Sequence, residues 1–132
     1  MNVLPSTSQP LNWIGIDVSK DSLSVYDLSH QHYQLYSNDD AGYQSLSEYL
    51  SKQNNIAVVC EATGSYEMTM ALTLHEQGWP VSIVNPRPVR DLAKAFGKLA
   101  KTDAIDAQMI AQYAQVTQPR ATVFTDQAEQ TL

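Results

Sequence analysis

The sequence predicts an α/β domain, and three observations carry that reading. Short runs of apolar and β-branched residues take turns with segments of helical periodicity. The first three runs lie close together, as hairpin-linked strands do, and the later ones are a helix apart, as parallel crossovers require. Hydrophobic residues make up 43% of the 132-residue chain and charged residues 17%, the balance of a chain with a core of its own.

Each element can be justified in order. "NWIGIDVSK" (12–20) gives a first strand, in which Ile14 and Ile16 flank Gly15. "SLSVYDL" (22–28) alternates and gives a second, and "HYQLYS" (32–37) a third; the short connections make these an antiparallel meander. In "AGYQSLSEYLSKQ" (41–53), Tyr43, Leu46, Tyr49 and Leu50 recur at helical spacing. The run Ile56 to Cys60 suits a strand covered on both faces, yet it ends in Glu61, before the turn residues Thr63, Gly64 and Ser65. A helix follows from Tyr66 to Gly78, with Ser65 as its expected N-cap and Gly78 closing it. "VSIVN" (81–85) is a fifth strand, stopped by Pro86. Helices over Arg87–Phe96 and Asp103–Val116 complete the domain, and Pro119 ends the last. The order β-β-β-α-β-α-β-α-α implies a mixed five-stranded sheet with helices on both faces. It matches the ribonuclease-H-like fold, with strand one central and strand four beside it and parallel.

Residues 1–11 read as a flexible leader, 12–117 as the folded domain, and 118–132 as the start of a linker to a missing C-terminal region. The residues from Thr125 read as the start of a new helix that stops short, and a piece of a longer protein is the expectation. No apolar run reaches membrane-spanning length, and the first residues lack the pattern of a secretory signal. The single Cys60 excludes an intramolecular disulfide and makes a cytoplasmic location the default. His30, His32 and His75 are scattered without cysteine partners, so they read as solvated side chains and not as a zinc site.

The acids are better placed. Asp17 follows the apolar start of strand one, and Glu61 ends strand four. Adjacent parallel strands would bring both to one end of the sheet. Asp103 and Asp106, three apart, share a helix face that Ile110 and Tyr113 continue toward the sheet. Four converging carboxylates would repel and raise one another's pKa, and hard divalent cations remove that conflict. The expectation is Mg²⁺ or Mn²⁺, as two ions clamping a phosphodiester, with Asp17 as the bridging ligand and Glu61, Asp103 and Asp106 completing the shells. Taken singly, Asp17 could end a strand in a turn, Glu61 could be a solvated strand-end charge, and Asp103 with Asp106 could cap the helix behind Thr102.

A net charge of −6 argues against a nucleic-acid partner until its distribution is read. Five of the eight basic residues, Arg87, Arg90, Lys94, Lys98 and Lys101, stand three, four, four and three apart. On one continuous helix they would line a face opposite Val89, Leu92, Ala93, Phe96 and Leu99, although Gly97 could interrupt it. They would then contact nucleic-acid phosphates without reading sequence, with Lys101 nearest the acids. A plain solvated helix face is the alternative. Trp13 and Trp79 read as packing residues.

The segments "WIGIDVSKDSL", "VVCEATGSYE" and "VNPRPVRDLAKAFGKLAKTDAIDAQMIAQYA" together resemble the DEDD-type transposases and site-specific DNA invertases of bacterial insertion-sequence family one hundred and ten. The resemblance covers about Trp13 to Ala114, and its most specific part is "KTDAIDA". It implies a RuvC-like N-terminal domain that cuts and joins DNA with divalent metal, carrying its four acids at Asp17, Glu61, Asp103 and Asp106. It further implies a bacterial cytoplasmic protein, a structured bridge (guide) RNA in some members, homo-oligomers, and a later domain with a serine nucleophile. Strand transfer by these residues alone is therefore not expected. Two other classes compete: a non-catalytic nucleic-acid-binding or dimerisation module, and an actin- or sugar-kinase-like phosphotransferase suggested by "GIDVSKDSL". The second would need another lobe and a glycine-rich phosphate loop.

Overall fold

The computed structural model describes residues 11–97 and 102–124. Its elements follow the expected order: β1 Asn12–Val18, β2 Ser22–Asp27, β3 His32–Ser37, α1 Asp40–Ser51, β4 Ile56–Glu61, α2 Glu67–Glu76, β5 Val81–Val84, α3 Pro86–Ala95 and α4 Asp103–Thr117. They form one five-stranded sheet in the order β3-β2-β1-β4-β5. β1 pairs antiparallel with β2 and parallel with β4, so the first strand is central as expected.

Alternation along β1 separates two cores. Ile14, Ile16 and Val18 join Leu46 and Leu50 of α1 and Met70 and Leu74 of α2 on one face. Trp13 turns to the other face, with Ala57 and Val59 of β4, Val89 of α3, and Ile110 and Ala111 of α4. The apolar run of β4 thus feeds both cores, which explains why it carries no polar residue before Glu61.

Gly15 sets how closely α4 lies on β1. A Cβ there would stand 2.3 Å from the carbonyl oxygen of Ala107 and 2.9 Å from the Cβ of Ala111. Only hydrogen at Gly15 and small side chains on α4 permit that approach.

The condition set on the basic stripe fails at Gly97, and the N-cap expected at Ser65 needs correcting. α3 stops at Ala95, and Gly97 takes a left-handed φ of +71°. The five bases therefore do not share one helix: Arg87, Arg90 and Lys94 lie on α3, whereas Lys98 and Lys101, like Leu99, fall outside the described residues. Phe96, expected on the apolar face, is 48% exposed. At α2, Tyr66 is the N-cap and Ser65 is not. The preceding turn is instead held by Thr63, whose Oγ1 accepts from the amides of Ser65 and Tyr66 and donates to Glu67.

Beyond α4 the chain runs along the outer edge of β5. The Thr122 amide donates to the Val81 carbonyl, the Ile83 amide to Thr122 Oγ1, and Ser82 Oγ to the Arg120 carbonyl. Residues 120–122 thereby satisfy polar groups that an uncovered edge strand would expose.

Candidate metal centre

β1 and β4 run in parallel register, with Ile16 opposite Cys60. One residue further along each strand stand Asp17 and Glu61. By alternation both turn to the α4 face, as Gly15 and Val59 do. The strand that begins as core therefore ends as a polar site with no change of direction.

α4 supplies the other two acids from its first turn. Thr102 caps the helix, its Oγ1 accepting from the Ile105 amide at 3.2 Å. Asp103 and Asp106 sit just inside that cap, where the helix dipole favours negative charge. Capping and site-building are thus compatible roles for this pair. The close contact at Gly15 brings the turn onto the end of β1. One carboxylate oxygen from each of Asp17, Asp103 and Asp106 lies within 4.8 Å of the others. Glu61 stands beside this trio and is not one of the three.

The electrostatics record the crowding. Burial, followed by the charges of Asp106, Glu61 and Asp103, pushes the Asp17 carboxyl up to about 7. Asp17 and Asp106 also act on each other directly, and that interaction raises Asp17 and lowers Asp106. Burial and Asp103 raise Asp106, against the pull of Asp17 and Arg90. Burial likewise raises Glu61; Arg90 opposes that rise and Asp106 adds to it. A set of clustered oxygen donors that suffer from one another's charge fits a hard divalent cation.

Around this site the sequence-derived candidates separate. Arg87, Arg90 and Lys94 are all exposed on α3, and Arg90 is the base whose charge acts on both Glu61 and Asp106. The position nearest the acids that was expected of Lys101 lies outside the described residues. Trp13 is buried in the α4-side core, and Trp79 packs against the other core while donating to Ser47 Oγ. His30 lies 2.9 Å from Asp27, His32 packs on Tyr49, and His75 on Phe124.

Two acids escaped the sequence reading. Glu67 is buried and holds the Thr63 turn directly after Glu61. Asp27 is fully buried and accepts from Asn12, Gln53, Tyr49 and the His30 amide. One signal was present: Asp27 falls at an inward position of an alternating strand, where an unpaired charge is not tolerated.

Comparison with known proteins agrees with this architecture. The solved T. thermophilus RuvC in complex with Holliday junction substrate matches with a TM-score of 0.55 at 15% identity, over 86% of this chain and 100% of that one. The fold is therefore RuvC-like, of the ribonuclease-H-like class. The pilin gene-inverting proteins of Moraxella bovis and Moraxella lacunata are each 29% identical over 113 residues, 81% of this chain. The chain spans only 35% of the length of either relative. No helix among the described residues is long and apolar enough to cross a membrane. The family model for IS110-type DEDD transposases, described as "Transposase", matches residues 14–132, a stretch that contains all four acids. By that match the chain belongs to the DEDD-type transposase family of IS110 insertion sequences.

Proposed function

We propose that this chain is the catalytic domain of a transposase that cleaves and transfers DNA strands at phosphodiesters with divalent metal. The observation that carries the reading is the meeting of Asp17, Asp103 and Asp106 oxygens within 4.8 Å at the end of the central strand. Asp17, Asp103, Asp106 and the adjacent Glu61 would hold Mg²⁺ or Mn²⁺, as two ions, with Asp17 central. When bound, such ions neutralise the acids and polarise a phosphodiester. The chain's own part is to fix the donors: the sheet holds Asp17 and Glu61, and the capped first turn of α4 holds Asp103 and Asp106.

Arg87, Arg90 and Lys94, with Lys98 and Lys101, would contact the nucleic-acid backbone, DNA foremost and a structured guide RNA in addition. Residues 12–117 would form the catalytic unit and 118–132 the beginning of a connection to further sequence, with oligomers forming in the longer protein. The Moraxella relatives, whose names record inversion of a pilin gene, support DNA rearrangement as the setting.

Calorimetric titration with Mn²⁺ tests this. The chain should bind the ion, and Asp17→Asn should weaken binding more than about a hundredfold, since loss of even an outer partner of a metal site costs 10–100-fold. If the folded wild-type chain gives no binding heat, and a crystal grown with Mn²⁺ shows no anomalous density at these acids, the metal reading is wrong.

A further inference from the structure

The bases of α3 are not equivalent. α3 starts one residue after β5, and Val84 of β5 is the ladder partner of Glu61. The first turns of α3 therefore rise from the same end of the sheet as the acids. Val89 and Ala93 are buried toward α4 and fix how α3 is rotated. At 100° per residue, Arg90 lies roughly 60° around the helix from Ala93, Lys94 roughly 100° and Arg87 roughly 120°. Arg90 is thus the base that flanks the buried stripe most closely, on the side where Glu61 and Asp106 feel its charge.

Nearness has not become pairing. Among the described residues the close contact between a carboxylate and a basic side chain is that of Asp27 with His30, and Arg90 takes no part in it. Arg90 is exposed, near enough for its charge to act on Glu61 and Asp106, and its donors are uncommitted to any described carboxylate. A planar fork of donors suits the paired oxygens of a phosphate better than an ammonium does.

Charge balance points the same way. Four carboxylates and two divalent ions sum to zero. A phosphodiester then adds one negative charge in a partly buried place, and one fixed positive charge offsets it.

Resting on the function proposed above, we infer that Arg90 takes the non-bridging oxygens of the phosphodiester held at the carboxylate cluster, while Arg87 and Lys94 serve as general backbone contacts. Arg90 is then a phosphate-contacting residue of the reaction site. Its contact forms only when the site is filled, because without cations the four acids repel the phosphate.

The test measures the affinity of a short DNA oligonucleotide for this chain in EDTA and in Ca²⁺, across a salt series. Wild type, Arg87→Ala, Lys94→Ala, Arg90→Ala and Arg90→Lys are compared, and circular dichroism checks folding. Wild type should bind more tightly in Ca²⁺ than in EDTA. Arg90→Ala should lose that Ca²⁺-dependent gain by about tenfold and change EDTA affinity less than twofold. Arg90→Lys should recover part of the gain. Arg87→Ala and Lys94→Ala should weaken binding equally in both conditions and lower the salt slope by about one each. Equal weakening of Arg90→Ala in EDTA and Ca²⁺ makes it an ordinary member of the basic face and overturns the assignment. Absence of Mn²⁺ heat and of any Ca²⁺-dependent gain in wild type overturns the parent reading as well, and is seen before any variant is made.

Discussion

Asp17 and Asp27 are carboxylates of the same hairpin with opposite fates. Asp17 stands at the closed end of the β1–β2 ladder, opposite Ser24, on the α4 face. Asp27 stands near the other end, opposite Ile14, and turns to the α1 face, where Tyr49 and Gln53 donate to it. Burial pushes both upward. For Asp27, hydrogen bonds from Tyr49, Asn12, Gln53 and the His30 amide outweigh burial and bring the carboxyl down to about 2. For Asp17, the neighbours are acids, and the carboxyl rises to about 7. Burial by itself therefore says little about an acid's task. A carboxylate surrounded by donors is completed by the fold and stabilises it. One surrounded by carboxylates strains the fold and is completed only by something from outside.

The sharpest way to break this contrast is Gly15→Ala. A Cβ 2.3 Å from the Ala107 carbonyl must push α4 from β1. We expect a loss of about 3 kcal/mol in urea unfolding, the upper range for overpacking. The same displacement should part Asp17 from Asp106 and weaken Mn²⁺ binding, while leaving the Asp27 network in place. Unchanged Mn²⁺ affinity would mean that α4 does not owe its position to this contact.

Next in size is acid unfolding. Asp27 has a folded pKa below its unfolded value, so its stabilisation is present above about pH 4 and lost as pH falls toward 2. The expected loss is about 2 kcal/mol over that window. Asp17 has the opposite sign. In the ion-free chain its raised pKa destabilises above about pH 7 and ceases to do so below about pH 4. Stability should therefore rise as pH falls from 7 to 4, then drop from 4 to 2. A chain that loses stability steadily from pH 7 downward would contradict the assignment of opposite roles.

Asp17→Asn should remove the upper limb of that profile. Without divalent ions at pH 8, the variant should be more stable than wild type by on the order of 1–2 kcal/mol, a shift of this kind being discounted for partial solvent screening. Thermal melts in EDTA would measure it. Removing a charge destabilises wherever that charge is paired, so a less stable variant would place Asp17 with Asp27 and not opposite it.

Smallest is Tyr49→Phe, which deletes one donor to Asp27 and should cost about 1 kcal/mol. Mn²⁺ affinity should stay within experimental error, because α1 lies on the far face of the sheet. A changed Mn²⁺ affinity would show the two carboxylate regions to be coupled through the β1–β2 ladder.

Element order was legible in the residues because periodicity is local. Ile14 and Ile16 around Gly15, the run Ile56–Cys60, and the spacing of Tyr43, Leu46 and Leu50 each declare their element within a few positions. Asp17 and Glu61 stood out for the same reason, as charges that interrupt apolar strands. Whether the five bases share one face was not legible, although a helix end at Phe96 and a break at Gly97 could both be read. Bases spaced three and four apart continue through Gly97 on paper, yet its left-handed backbone breaks the helix that would align them. Thr63 and Glu67 were also hidden, because their reciprocal bonding shows only once the turn is closed.

By itself, the sequence determined which segments become strands and helices, their order, and which residue types were available for a metal. Tertiary structure alone decided that Asp103 and Asp106 meet Asp17, that Arg90 of the three α3 bases stands beside them, and that Asp27 is satisfied while Asp17 is not. The reason is range. Backbone preference and hydrophobic period act over a few residues, whereas the state of a charge depends on atoms brought near it from distant parts of the chain. Here that approach depends on a missing methyl group at Gly15 and the small faces of Ala107 and Ala111.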